Sequence, residues 1–149
     1  GSRRGIRTSG TVVAIANNSG IIERCPECRR VMRDGECTEH GLQRGEEDVR
    51  LRFVLDDGIS NASTLIGKEA TEALTGMDQG QIRDAIDANT RAGFIATLRE
   101  RYLARKLHIN GRAMVDAQGA ILMADSVDID TRTPEEAANE VMTRWGVVL

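Results

Sequence analysis

Alternation of apolar and polar residues predicts the first three strands of this chain. Residues 10–16 read GTVVAIA, a short run rich in β-branched residues that ends at the turn-forming residues 17–20. Residues 48–56 alternate strictly, so a strand here has one apolar face and one polar face. The apolar face comprises Val49, Leu51, Phe53 and Leu55. The turn sequence Asp56-Asp57-Gly58 then predicts a hairpin with a third strand over residues 59–66.

A helical period replaces the alternation in the middle of the chain. Residues 68–74 predict a short helix. Residues 78–101 predict a longer one, because their apolar residues recur three and four positions apart. Asn89-Thr90 and Gly93 are expected to break or kink the longer helix.

Strand patterning returns after Tyr102. Leu107 and Ile109 alternate with Lys106 and His108, which predicts a fourth strand that ends in an Asn110-Gly111 turn. A fifth strand is predicted over residues 120–129. Five strands with a helical insert between the third and fourth predict a mainly β fold, the five-stranded Greek-key barrel called the oligonucleotide-binding (OB) fold.

The last residues predict a helix from Pro134 to Trp145. Thr133 is its expected N-cap, and Gly146 is its expected end. An apolar stripe runs along one side of this helix and is formed by Ala138, Val141, Met142 and Trp145. The stripe either docks on its own barrel or packs against equivalent helices of partner subunits, and the exposed apolar end that a lone monomer would carry favours the second arrangement.

A cysteine and histidine motif interrupts the first two strands. All three cysteines of the chain and one of its two histidines lie in residues 21–41, as Cys25-x2-Cys28-x8-Cys37-x2-His40. Two pairs of ligands, each three residues apart, suit a tetrahedral zinc ion. Four protein ligands leave no position open for water, so we expect one structural zinc ion in a zinc ribbon. A disulfide with one idle cysteine is the alternative, and it explains the histidine spacing poorly.

Composition limits the possible functions. The 149 residues suffice for one domain, and the net charge of -3 provides no global basic field. No apolar run is long enough to span a membrane, so an intracellular protein without a membrane partner is expected. Gly1-Ser2 resembles the scar left by tag removal, and the missing initiator Met favours a piece of a longer protein. The expected layout is a scar and linker over residues 1–9, the OB-fold domain over 10–130 and an assembly helix over 131–149.

The sequence resembles the zinc-containing OB domain of archaeal replication protein A over nearly the whole chain, most strongly from Gly10 to Gly58. It is also similar to the C-terminal OB domain of the eukaryotic large subunit, in which a zinc ribbon interrupts the first two strands. The resemblance implies single-stranded DNA binding in DNA replication, recombination and repair. It also implies that the C-terminal helix assembles with sister subunits, with either identical or different chains.

Candidate DNA contacts are basic, because the chain has only four aromatic residues. Arg50 and Arg52 lie on the polar face of the second strand, and Lys106 on the polar face of the fourth. Arg29 and Arg30 lie in the zinc loop. Each can instead be an ordinary solvated surface charge. Phe53 falls on the apolar face of its strand and is expected in the core.

Catalysis is not expected, because the metal motif uses every cysteine and leaves only His108 for acid–base chemistry. A second function stays open, in which the domain serves protein assembly within a trimer core and other domains contact the DNA. The net negative charge and the few aromatic residues favour that alternative.

Overall fold

The computed structural model describes residues 2–116 and 119–132 and residue 136. Within them, the elements in chain order are β1 (Ser2–Ile15), β2 (Gly20–Arg24), β3 (Glu36–Cys37), β4 (Gly41–Leu42), β5 (Glu46–Asp56), β6 (Asn61–Gly67), α1 (Lys68–Thr75), α2 (Gln79–Tyr102), β7 (Lys106–Asp116) and β8 (Gly119–Ile129).

Five long strands form a nearly closed ring. Their order is β1-β7-β8-β6-β5, and β1 also pairs with β5 to close the circle. β6 and β8 are parallel, and the other neighbours in the ring are antiparallel. The two helices connect the third and fourth strands of the ring, and β3 and β4 form a separate small hairpin. The predicted fold class, an OB barrel with a Cys/His-bearing insert and a helical insert, is confirmed.

Alternating residues of β5 fill the barrel as their pattern predicts. Leu51 and Phe53 are fully buried, and the Phe53 ring lies 5.8 Å from the ring of Tyr102 at the end of α2. Phe53 is therefore a core residue. Arg50, Arg52 and Val54 alternate with these residues and face outward, so β5 separates the core from the polar surface.

The first strand is longer than its sequence pattern indicates. It begins at Ser2, and residues 5–11 pair with β7, so the stretch expected to be a linker is part of the sheet. These residues show no apolar alternation, and the pairing with β7 determines their conformation where intrinsic propensity does not. After a bend at residues 16–19, β2 continues the strand and pairs with β5 before the cysteine motif begins.

The predicted turn at Asn110-Gly111 is wrong. β7 runs through this dipeptide to Asp116, and only a bulge marks it, where the register with β8 shifts between Asn110 and Gly111. Gly111 is required there, because a side chain at this position would overlap the main-chain carbonyl of Met123. Asn-Gly favours a turn in isolation, but here the glycine is needed because β7 and β8 approach too closely for a side chain.

The predicted kink in the long helix is confirmed at Thr90. Its φ of 65° and ψ of 164° are not helical, and its hydroxyl accepts a hydrogen bond from Gly93 N at 3.2 Å, so Thr90 caps the second half of α2. Beyond the kink, the Arg91 guanidinium donates to Ile21 O at 2.7 Å and the Arg99 guanidinium to Asn17 Oδ1 at 3.0 Å. These bonds hold α2 against the bend between β1 and β2.

Apart from residue 136, the predicted C-terminal helix, with its stripe of Ala138, Val141, Met142 and Trp145, lies outside the described residues. In the part of the chain that the structure describes, no helix is both long enough and apolar enough to cross a membrane.

Candidate metal centre and nucleic-acid interface

The four predicted metal ligands converge on one point. One ligand atom from each of Cys25, Cys28, Cys37 and His40 lies within 4.8 Å of the other three. Cys28 Sγ is 3.6 Å from Cys37 Sγ, and His40 Nδ1 is 3.5 Å from Cys25 Sγ. Zinc–sulfur bonds of about 2.3 Å at tetrahedral angles would put two sulfurs about 3.7 Å apart. The cluster therefore has the dimensions of a single tetrahedral metal site, and its cysteines are free rather than paired in a disulfide.

Two tight turns present the ligands. In the first, Arg29 N donates to Cys25 O at 2.8 Å, and Arg29 takes a positive φ of 67° to turn the chain after Cys28. In the second, the β3–β4 hairpin carries Cys37 and His40 between Gly35 and Gly41, which both have positive φ values. Positive φ is inexpensive for glycine, so both glycines suit the hairpin that carries the second ligand pair.

Main-chain donors prepare Cys37 to act as a thiolate. Backbone hydrogen bonds from Glu39 and His40 lower the pKa of the Cys37 thiol to about 6. Cys28 differs, since a backbone hydrogen bond from Arg30 favours its thiolate but burial and the other two thiols raise its pKa. A bound cation would favour ionisation of both thiols. With three sulfurs and one imidazole the ligand set is full, so the site fits a structural ion.

The metal region has its own small core, formed by Cys25, Met32 and Cys37 and separate from the barrel core. Arg24 connects the two. Its guanidinium contacts Asp48 Oδ2 on β5 at 2.5 Å and donates to Arg29 O in the first turn at 2.9 Å. Arg29 in turn pairs with Glu46 at 2.6 Å. The ribbon is thus attached to the barrel next to the polar face of β5.

The polar face of the sheet places arginines beside apolar side chains. The strand register aligns Arg52 of β5 with Leu65 of β6, Leu65 with Met123 of β8, and Met123 with Arg112 of β7. Paired residues project from the same side of a sheet, so these four form one row across the outer surface. Leu65, Met123 and Arg112 also line a shallow groove of about 210 Å³ with Arg24 and Arg50.

Arg50 occupies the centre of a concentration of positive charge. Its Nε is buried and has no hydrogen-bond partner. Burial lowers its pKa, and so do the neighbouring charges of Arg24, Arg52 and Arg33. These four residues and Arg112 are called the arginine cluster below. The Asp48 carboxylate offsets part of this repulsion. A half-buried cation that repels its neighbours and lacks a hydrogen-bond partner at Nε gains from a bound anion.

The other predicted DNA contacts are placed differently. Lys106 is exposed and lies far from Arg50 on the sheet. It pairs with Thr11 of β1, and Thr11 pairs with Asp56, which is six residues from Arg50 along β5. Arg29 and Arg30 are exposed on the ribbon and form ion pairs with Glu46 and Glu39. Arg50 and Arg52 are therefore brought together, whereas Lys106, Arg29 and Arg30 are not part of the same cluster.

Sequence reasoning missed Arg112. Arg112 follows a bulge that no sequence pattern marks, and only the β7–β8 register brings it beside Met123. The sequence did indicate Arg50 and Arg52, because they are two residues apart and alternate with the apolar residues of their strand.

The aromatic side chains in the described part of the chain are all buried. Phe53, Phe94 and Tyr102 are each at most 4% exposed. The fourth aromatic residue, Trp145, lies outside the described residues. The outer face therefore presents arginine planes, Leu65 and Met123, without an aromatic platform from the described strands and helices.

His108 belongs to a separate polar group at the end of the barrel. Its Nε2 lies 3.2 Å from Asp130 Oδ2, and Arg132 contacts the same carboxylate at 2.8 Å. The hydrogen bonds from Arg132, reinforced by His108, hold the pKa of Asp130 well below its usual range. His108 is thus half-buried and paired within the fold, apart from the metal site.

Comparison with known proteins supports the fold. No protein-family model matches the sequence, and a search of curated proteins finds no significant match. The structure is similar to a solved replication protein A heterotrimer bound to ssDNA, with a TM-score of 0.58, 18% sequence identity and 95% of this chain covered. The match covers 35% of the chain in that structure, so this chain spans about a third of its length. The Stn1–Ten1 complex of S. pombe also matches, with a TM-score of 0.42, 11% identity and 97% and 71% of the two chains covered.

Proposed function

We propose that this chain binds single-stranded DNA as a zinc-containing OB domain of a replication protein A subunit, acting in DNA replication, recombination and repair. The observation that carries the proposal is the arginine cluster, in which the half-buried Arg50 has an unpartnered Nε on the outer face of the barrel. A nucleic-acid phosphate in the groove that Arg50 lines supplies the compensating negative charge.

The row Arg52–Leu65–Met123–Arg112 suits a single strand better than a duplex. Its two apolar side chains lie between cations, so bases can lie on the apolar residues while phosphates pair with the arginines. The bases of a duplex are stacked inside and cannot use this surface. Weak base preference on this row and strong salt dependence follow from such contacts.

The Cys25, Cys28, Cys37 and His40 site holds one structural zinc ion in this proposal. Zinc fits a set of three thiolates and one imidazole with tetrahedral spacing. The ion fixes the two turns, and through Arg29 O it fixes Arg24 beside Arg50. Cys28, Cys37 and their partners thus support the DNA surface without touching it.

Assembly with sister subunits through the C-terminal helix is the second part of the proposal. Its support is the apolar stripe of Ala138, Val141, Met142 and Trp145 in the sequence. Light scattering of the intact chain mixed with sister subunits, compared with a version that ends at residue 132, tests this part. Loss of association with an unchanged barrel is the expected result, whereas unfolding of the shortened chain would mean that the helix docks intramolecularly.

The DNA-binding proposal is tested by fluorescence anisotropy with an unstructured single strand and with a duplex of the same sequence. We expect tighter binding to the single strand, and affinity that falls as salt rises. Equal affinity for the two forms, or no binding of either, would contradict it.

One observation favours a different role, in which the domain serves assembly and other domains bind DNA. The described surface carries no exposed aromatic side chain, and aromatic platforms supply much of the affinity of single-strand binders. Subunit association without measurable binding of the single strand would support this second function.

A further inference from the structure

A large cavity lies on the other side of Arg52 from the arginine row. It has a volume of about 780 Å³, within the range of about 300–1,000 Å³ that is typical of small-molecule sites. The bend after β1, the edge of β2, the residues between the two metal-binding turns and α2 surround it. Its apolar walls include Ile21, Val31 and Met32.

Four polar side chains at this cavity are not engaged elsewhere in the described part of the chain. They are Asn18, Glu23, Arg33 and Asp34, and no hydrogen bond or ion pair of these side chains occurs among the described residues. Two of them are donors and two are carboxylates. Two further arginines at the cavity are already engaged. Arg91 donates to Ser19 O and Ile21 O, and Arg52 donates to Ser63 Oγ.

The two carboxylates indicate what kind of group enters. The lining combines these two carboxylates, Glu23 and Asp34, with three arginines, so it offers acceptors as well as donors, unlike the purely basic surface that suits a phosphodiester chain. A flat apolar group with both donors and acceptors on its edges matches the remaining walls. A nucleobase has this chemistry, and the cavity opens beside the strand path across β5.

We propose that this cavity binds one guanine base extruded from the bound single strand. Guanine has two adjacent acceptors, O6 and N7, which suit the forked donors of an arginine such as Arg33. Its Watson–Crick edge has two adjacent donors, N1–H and N2–H, which suit one carboxylate such as Asp34. Ile21 and Val31, which are both partly exposed in the cavity, give the ring apolar contacts. The inference rests on the proposed function and adds a base preference at one position of the strand.

The test compares labelled oligothymidylate of about 15 nucleotides with the same oligonucleotide carrying one central guanosine. The guanosine should raise affinity about 5- to 100-fold, the range for a bidentate base contact. Deoxyinosine lacks the N2 amino group and should give a smaller gain. In Asp34→Asn the difference between guanosine and deoxyinosine should vanish, while affinity for oligothymidylate stays as in the parent.

Asp34→Asn is expected to fold, because Asp34 has a φ of 52°, a conformation that asparagine tolerates well. Asp128→Asn, an exposed change on β8 with the same loss of charge, is the matched control and should retain the guanosine preference. A second variant, Val31→Phe, narrows the cavity and should remove the preference without reducing oligothymidylate binding.

The outcomes separate the two proposals. Equal affinity for the thymidine and guanosine oligonucleotides in the parent overturns the base site, while salt-dependent binding through Arg50 and Arg52 would still support the proposed function. A guanosine preference that survives both Asp34→Asn and Val31→Phe also overturns the site. Failure to bind any oligonucleotide refutes both.

Discussion

Ser19 Oγ holds both main-chain groups of Arg52. It accepts a hydrogen bond from Arg52 N at 2.9 Å and donates to Arg52 O at 3.4 Å, and Ser19 is fully buried. Ala16 N, at the start of the bend between β1 and β2, also donates to Arg52 O at 2.9 Å, so Ser19 Oγ is the acceptor for Arg52 N and a second donor to Arg52 O. Ser19 and Ala16 together therefore fix the backbone of a proposed DNA-binding residue.

Ser19→Ala should destabilise the protein by about 1–3 kcal/mol, because it leaves the buried Arg52 amide without an acceptor. Thermal or denaturant unfolding measures the change. Ser126→Ala removes an exposed hydroxyl that bonds to Asn110 and is the control, with an expected cost below about 0.5 kcal/mol. Similar stability losses in the two variants would mean that the Ser19 bonds contribute little.

Cys37→Ser should abolish zinc binding and disorder residues 21–41 first, while the barrel stays folded. Zinc contributes on the order of 10 kcal/mol to such loops, and the small core around Cys25 and Met32 is separate from the barrel core. Elemental analysis and hydrogen exchange check the two parts. Thr38→Ala alters a neighbouring residue that is not a ligand and should keep one zinc ion. Parent protein without stoichiometric zinc would contradict the metal assignment.

Met123→Trp should increase affinity for a single strand. Met123 lies between Leu65 and Arg112 on the outer face, and an indole there provides the aromatic platform that the surface lacks. Base stacking contributes about 1–3 kcal/mol, which corresponds to about 5- to 100-fold in affinity. Leu103→Trp, at the exposed end of α2, should leave affinity unchanged. An equal gain in both variants would show that the tryptophan acts non-specifically.

The ion pairs of Asp130 predict acid sensitivity. Hydrogen bonds from Arg132, and then from His108, hold the folded-state pKa of Asp130 below its unfolded value of about 4. A depressed carboxyl pKa stabilises the fold above the unfolded pKa, and this contribution is lost as pH falls through the folded pKa. Melting temperatures of the parent and Asp130→Asn should therefore differ by a constant amount above about pH 5 and converge in strong acid. A difference that persists unchanged to about pH 2 would argue against this origin.

The sequence was sufficient where local chemistry decides the structure. The alternation from Val49 to Leu55 predicted the inward and outward faces of β5, and the cysteine spacing predicted which four side chains meet. The sequence was insufficient where strands approach each other. Gly111 looked like a turn residue, because its contact with Met123 is set by the β7–β8 register and leaves no local pattern in the sequence.

The same limit applies to the candidate DNA surface. Arg50 and Arg52 could be identified because they alternate with core residues of one strand. Arg112 and Met123 could not, since their place beside Leu65 depends on the pairing of three strands. Residues 5–9 were missed as strand for a related reason, because β7 pairs with them although they lack an apolar alternation.

The salt dependence of single-strand binding in the parent and in Arg50→Ala/Arg52→Ala tests the central claim most directly. Loss of two phosphate contacts should lower affinity and reduce the slope of log affinity against log salt by about 1.4, at about 0.7 per contact. The melting temperature should not fall, because Arg50 is a half-buried cation without a partner at Nε. Arg101→Ala/Arg105→Ala, which removes two exposed charges near the end of α2, should keep the parental slope. An unchanged slope and affinity in the Arg50/Arg52 variant would contradict the account.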